Sequence, residues 1–263
     1  MDKGQLLDRL GAAGEDRLTL AKILDRAEQA RNRNIPAATD FLSPAQQAQA
    51  GDLLRLAGFT DYAALGGYEG AERRLLLFLP DWLERSDAES QSPIRLLRAV
   101  FREEYHLTHR DFLGSLMGMG VVREKIGDIL VGPDSADLMV LDTVADFLLR
   151  SWDSAGRARL TVSAIEPENL HIPRVQCKEV RDTVSSLRLD AVASSGFRMA
   201  RGRAAALIES GKVQVNWREC VKPDKLLSAG DTVSARGFGK FTLSEVGGVT
   251  KKGRTSIVLN VYV

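Results

Sequence analysis

Two short helical patterns and one strand pattern, packed into residues 187–218, constrain the fold of this chain more than any other stretch. The first helical pattern ends at Ser194-Ser195-Gly196, as helices that close on a glycine do. The second has one apolar face and stops at Gly211. Val213 and Val215 then alternate with polar residues, which predicts a strand. The run therefore predicts a small α+β module with a single core.

Positive charge is concentrated at the start of the second helical pattern. Arg198 precedes that pattern, and Arg201 and Arg203 fall in its first turn, where the helix dipole and the free backbone N–H groups disfavour cations. Ala200 stands where serine, threonine or aspartate would cap the helix, so about 0.5–2 kcal/mol of capping is missing. An external phosphate would satisfy the amides and the arginines together. We therefore expect an anion-binding edge here.

The same run resembles the S4-type RNA-binding domain, in which two short helices and a strand grip structured RNA. The run departs from that pattern at Ala200, which replaces the usual serine, and at Trp217, which replaces the usual glycine. The resemblance implies an S4 domain over residues 182–263. The matching residues are Arg188-Leu189-Asp190, Gly196-Phe197, Arg201, Ala204, Leu207-Ile208, Gly211, Val213, Val215-Asn216, Pro223 and Gly230-Asp231.

A wider resemblance is to the YlmH-type RNA-binding proteins. Trp217 and the segment 236–241 are similar to that subfamily, as are Phe41-Leu42-Ser43-Pro44, Gly66-Gly67-Tyr68 and Ala71-Glu72-Arg73. The resemblance thus covers most of the chain. It implies work on the ribosome, on large subunits that retain peptidyl-tRNA during quality control of stalled translation.

We expect the C-terminal module to make most of the RNA contacts, with arginines on phosphates and Asn216 on a sugar or base edge. Trp217 is interpreted as a lid on the small core, with a stacking platform for a base as the alternative. The basic tip Lys251-Lys252, framed by glycines, either grips RNA or keeps a sheet edge soluble. The predicted RNA-binding residues are Arg188, Arg198, Arg201, Arg203, Lys212, Asn216, Trp217, Arg218, Lys251 and Lys252.

The net charge of +1 conceals an asymmetry along the chain. Residues 171–263 hold 16 Lys and Arg against 8 Asp and Glu, a balance of +8, and the preceding residues hold 20 against 27, a balance of −7. Such a split favours a polyanion-binding module carried by an acidic body. The sequence has no apolar run long enough to cross a membrane, and its start does not resemble a leader peptide, so we expect a cytoplasmic protein. Its two cysteines, Cys177 and Cys220, are expected to be reduced thiols.

The N-terminal region, residues 1–85, is predicted to contain helices followed by a β-hairpin. Apolar stripes indicate helices up to about residue 35, broken at Gly11–Gly14. Ser43-Pro44 is typical of a helix start, and Gly58 of its end. Two apolar runs, 59–65 and 75–79, flank a glycine-containing segment and predict the hairpin.

The central region, residues 92–168, alternates as strand, helix, strand, strand, helix, strand, which predicts a ferredoxin-like βαββαβ domain similar to RNA-recognition motifs. Its central strands hold no aromatic residue, which disfavours stacking of bases on that sheet. Four arginines of this region are predicted to be either solvated or in contact with phosphates: Arg95, Arg98, Arg102 and Arg123. Residues 166–181 are predicted to be a linker.

No set of residues in the sequence predicts catalysis. His106 and His109 have no accompanying ligand pattern, and no glycine-rich cofactor turn is present, so we expect no metal and no cofactor. We therefore predict a monomeric, non-enzymatic protein whose partners are structured rRNA and tRNA and the ribosome or its large subunit. The alternative is an RNA-modifying enzyme, of pseudouridine synthase or methyltransferase type, guided by its S4 domain.

Overall fold

The computed structural model describes residues 2–173 and 177–262. The chain divides into two compact units, Met1–Pro173 and Arg174–Val263. Both mix helices with antiparallel sheets, so the α+β fold class is confirmed. Within the described residues, no helix has the length and apolar character that a membrane crossing needs.

The N-terminal region of the first unit folds as predicted, with one added strand. The side chains of Ser43 and Gln46 each bond the other residue's backbone N–H, a capping box that starts the third helix, and Gly58 ends that helix in the left-handed conformation. The hairpin forms, and a third strand joins it in the order β1-β3-β2. The elements are α1 (Lys3–Arg9), α2 (Gly14–Arg33), β1 (Ala37–Ala38), α3 (Pro44–Ala57), β2 (Tyr62–Leu65) and β3 (Leu75–Phe78).

The central region is the predicted ferredoxin-like βαββαβ domain. Its sheet is antiparallel throughout, in the order β5-β6-β4-β9, and both helices pack on one face of it. A short extra hairpin, β7 with β8, precedes the last strand. The elements are β4 (Ile94–Val100), α4 (His109–Gly118), β5 (Ile126–Val131), β6 (Ser135–Leu141), α5 (Asp142–Ser151), β7 (Ser154–Ala155), β8 (Ala158–Arg159) and β9 (Thr161–Ile165).

The second face of the central sheet is covered by the N-terminal sheet. Leu96 and Met139, which point away from α4 and α5, are buried together with Phe41 and Leu75 in one shared cluster. At Gly127 the two layers approach so closely that a Cβ would lie 2.8 Å from carbon atoms of both Met139 and Phe41. RNA-recognition motifs stack bases on this face. Here the protein itself occupies that face, so bases cannot stack on it.

Arg98 and Asp137 form a bidentate ion pair on the same face. Nε and Nη2 of Arg98 lie 2.7 Å from the two carboxylate oxygens of Asp137, whose side chain is 1% exposed. Arg98 also donates to the carbonyl of Asn169, and the backbone N–H of His171 donates to Asp137. The pair therefore ties the segment after β9 to the sheet. Arg98 is neither solvated nor available to a phosphate.

The second unit packs two helices on one face of a six-stranded sheet with the order β10-β15-β14-β13-β11-β12. Gly196 lets the first helix lie directly on the ring of Phe241, because a Cβ there would be 2.3 Å from that ring. The elements are β10 (Cys177–Val184), α6 (Leu189–Gly196), α7 (Arg201–Glu209), β11 (Val213–Val215), β12 (Arg218–Glu219), β13 (Thr232–Ala235), β14 (Gly239–Val249) and β15 (Thr255–Tyr262).

Two predicted boundaries are wrong. The predicted linker 166–181 includes the first part of β10, which pairs with β15 along its whole length. Most side chains of β10 are exposed on both sides, as happens on an edge strand, so no apolar alternation marked it. In the central region, the sequence pattern predicts the second strand over 122–131, but the strand begins only at Ile126, because a turn of 3-10 helix occupies Arg123–Lys125.

Candidate nucleic-acid interface

Two of the predicted RNA-binding arginines share a carboxylate inside the protein. Nη2 of Arg201 lies 3.0 Å from both side-chain oxygens of Asp190, and Arg188 donates to the same two oxygens at 3.2 and 3.3 Å. The expectation that Arg201 depends on an external anion is therefore wrong. The three side chains together keep one net positive charge, and both arginine side chains remain more than one-third exposed.

Asp190 is held in place by its backbone as well as by its side chain. The N–H groups of Leu189 and Asp190, in the first turn of α6, donate to the carbonyls of Lys225 and Pro223 at 2.7 and 3.0 Å. Burial alone would raise the pKa of the Asp190 carboxyl, but the hydrogen bonds from Arg188 and Arg201 outweigh it and hold that pKa below its ordinary value. The carboxylate is thus a fixed anion that positions both arginines.

Arg198 occupies a backbone conformation that favours glycine. Its φ is +51°, just after α6, and the N–H of Met199 bonds back to the carbonyl of Ser194 in the manner of a helix-ending motif. The left-handed conformation costs an L-residue roughly 1–2 kcal/mol. The side chain is exposed, and no hydrogen bond or ion pair joins it to any residue the structure describes. An exposed cation at a strained position is typical of a functional site.

Arg203 is supported from the core by a ladder of aromatic rings. Phe241 is buried, Phe197 lies 5.0 Å from it, and Phe238 lies 6.3 Å from Phe197. The guanidinium carbon of Arg203 is 5.6 Å from the centroid of Phe238, within the range of a cation–π contact. The first-turn arginine of α7 is thereby held at the surface without a carboxylate partner in the described chain.

Asn216 and Trp217 form the two-residue turn between β11 and β12, and both have positive φ. The amide of Asn216 donates to Asp231 at 2.7 Å and accepts from the N–H of Thr232 at 2.9 Å. These bonds give Asn216 a structural role, and its contact with a sugar or base edge stays a prediction. Trp217 is 37% exposed, and both of its roles, a lid on the core and a stacking platform for a base, stay predictions.

The remaining predicted cations are spread along the sheet. Lys212 lies just before β11, and Arg218 is in β12. Lys251 and Lys252 are exposed at the tip between β14 and β15. Strand β14 runs from the neighbourhood of Lys212 to that tip, and at about 3.3 Å per residue its length separates the two ends by roughly 30 Å. The structure thus groups Arg188 with Arg201 and places the tip lysines at a separate location.

The other three central arginines, which were predicted to be solvated or in contact with phosphates, differ in exposure. Arg95 is exposed, and Arg102 lies 3.7 Å from Glu104. Arg123 is half-buried and donates to the carbonyl of Ile126 at 2.6 Å. Arg73 donates to that same carbonyl. Burial, and then the charge of Arg73, lower the pKa of Arg123 to about 10.

Sequence reasoning missed the role of Asp190 as an internal anion and the support of Arg203 by Phe238. The first had a signal in the sequence, because Asp190 follows Arg188 by two positions within the S4-like run. The second had none, since Phe238 meets α7 only after the sheet has formed.

Three family models match this chain. They are "YlmH, N-terminal" over residues 15–81, "Putative RNA-binding domain in YlmH" over residues 92–169 and "S4 domain" over residues 187–233. The "Ribosome-associated protein quality control protein P2" of Bacillus subtilis (strain 168) is 37% identical over 221 residues, which cover 82% of this chain and 83% of the relative. The chain belongs to the YlmH family.

Membership in the YlmH family confirms the resemblance predicted from the sequence, including the S4-type RNA-binding domain. Among solved structures, the cell division protein ylmH from Streptococcus pneumoniae has a TM-score of 0.49 and 22% identity, and the match covers 60% of this chain and 96% of that one.

Proposed function

We propose that this protein is a non-enzymatic RNA-binding factor that acts on the ribosome in the cytoplasm. Its partners would be rRNA and tRNA on large subunits that retain peptidyl-tRNA, and its working form a monomer. The name of the Bacillus subtilis relative supports ribosome association. The S4 domain supports recognition of structured RNA.

The observation that carries the proposal is the set of cations along α6 and α7. Asp190 fixes Arg188 and Arg201, the aromatic ladder holds Arg203, and Arg198 stays exposed at a conformational cost. Fixed cations lose little side-chain entropy when they meet phosphates, which favours binding. With about five phosphate contacts, the logarithm of affinity should fall with the logarithm of salt concentration at a slope near −3.5 to −4.5.

The test is cosedimentation of the full chain with purified large ribosomal subunits over a range of salt concentrations. The double variant Arg198→Ala/Arg203→Ala should bind more weakly and reduce the slope by about 1.4–1.8. The matched control is Arg110→Ala/Arg157→Ala, which removes the same charge from exposed positions of the first unit. Equal loss of binding in both double variants would reject the α6–α7 edge as the binding surface.

The alternative of an RNA-modifying enzyme makes a different prediction. Incubation of the protein with rRNA and tRNA, followed by mass spectrometry of the nucleosides, should show no new modification. A stoichiometric modification that depends on the protein would replace the proposal with the enzymatic alternative.

A further inference from the structure

The solvent-facing side of the second unit's sheet contains an open cavity of about 440 Å³. It lies where β11 pairs with β13. Val213 and Ala235 point into the core there, so Gln214 and its partner Ser234 point outward. The cavity is lined by Gly211, Lys212, Gln214, Ser234, Ala235 and Arg236. It is built partly from residues beyond the S4 match, which ends at residue 233.

Two cations line this cavity. Lys212 immediately precedes β11 and Arg236 immediately follows β13, so each is next to a member of the strand pair Val213 and Ala235. Both side chains are exposed. Glu219 turns its carboxylate toward Gly211, and neither cation forms an ion pair with it or with any other described residue. An anion in the cavity would be attracted by both cations.

The cavity also offers polar groups that are not used by the protein. Among residues 177–262, no side chain or backbone group bonds the Gln214 amide or the Ser234 hydroxyl. An amide supplies both a donor and an acceptor, and a hydroxyl supplies either. On the next strand Lys240 pairs with Ser234 and lies 4.5 Å from the ring centroid of Tyr262, so positive charge continues across this face.

From these contacts we infer that the cavity binds one nucleotide of an unpaired RNA segment. The phosphate lies between Lys212 and Arg236, and the base edge meets Gln214 and Ser234. The volume falls within the range of about 300–1,000 Å³ that is common for ligand pockets. Unpaired RNA is the source because the deep, narrow major groove of an RNA helix hides base edges from side chains, whereas the bases of a single-stranded loop expose theirs. The inference rests on the proposed RNA-binding function and adds to it a site that reads base identity.

Crosslinking of the full chain to a pool of stem–loop RNAs, with randomised loops that carry 4-thiouridine, tests this site. Mass spectrometry should find crosslinks on the peptides that contain Gln214 and Ser234, and a loop-free duplex should give none there. In binding assays, Gln214→Ala should weaken affinity about fivefold with an unchanged salt slope. Arg236→Ala should weaken affinity about fivefold at 0.1 M salt and reduce the slope by about 0.7.

The matched control is Arg181→Ala, because Arg181 lies on the far edge strand β10 and is already paired with Glu179 at 2.6 Å. It should leave affinity and slope unchanged. RNA binding that is unaffected by Gln214→Ala and Arg236→Ala overturns the inference and leaves the proposed function intact. Binding of uridine monophosphate at the cavity without any effect of the variants on RNA also overturns it. Absence of RNA binding by the unaltered protein overturns both.

Discussion

Replacement of Arg198 by glycine should make the protein more stable and a weaker RNA binder. The left-handed conformation at φ +51° costs arginine roughly 1–2 kcal/mol, and the larger unfolded-state freedom of glycine offsets about 0.5–1 kcal/mol. The net gain in free energy of unfolding is about 0.5–1 kcal/mol. For a unit of this size, that gain raises the thermal midpoint by roughly 2–8 °C.

The loss of one phosphate contact acts in the opposite direction on binding. The salt slope should shrink by about 0.7–0.9, and affinity should fall about sixfold at 0.1 M salt. Calorimetry gives the midpoint, and fluorescence anisotropy at several salt concentrations gives the slope.

Two further variants separate backbone strain from charge at Arg198. Arg198→Ala keeps the strain and removes the charge, so it should bind as weakly as the glycine variant without the rise in midpoint. Arg198→Lys keeps both the strain and the charge, so its midpoint and slope should match those of the parent. A glycine variant no more stable than the parent would refute the strain argument, and an alanine variant with full affinity would refute the phosphate contact.

Three other substitutions test the packing and the charges. Asp190→Asn should lower the free energy of unfolding by about 2 kcal/mol at neutral pH. Because the folded-state pKa of Asp190 lies below its ordinary value, that difference from the parent should be present above about pH 4 and vanish as pH falls through the folded-state pKa in acid titrations of stability. Arg98→Ala leaves Asp137 charged and unpaired in the interior, so denaturant unfolding should show a loss of about 3–5 kcal/mol. Gly196→Ala forces a methyl group against Phe241 and should cost about 1–3 kcal/mol, measured in the same assay.

The elements that sequence reasoning predicted well carry local signals. Helix α3 has its capping box at Ser43 and its stop at Gly58, and both signals lie within the helix's own neighbourhood. Strand β10 has no such signal, since an exposed edge strand lacks alternation. The pairing of Arg201 with Asp190 joins residues on two helices, so it depends on how α6 and α7 pack.

The covering of the central sheet did leave a signal. Four consecutive residues of β6 are apolar, namely Leu138, Met139, Val140 and Leu141. Such a strand presents apolar side chains on both faces of the sheet, so both faces must be covered by protein.

The shared layer between the two sheets of the first unit determines how this protein can be dissected. If residues 92–169 were produced by themselves, Leu96 and Met139 would be transferred from hydrocarbon into water. Such a fragment would aggregate through this apolar face, and its RNA binding could not be measured reliably. The N-terminal piece suited to solution work is therefore the whole first unit, Met1–Pro173.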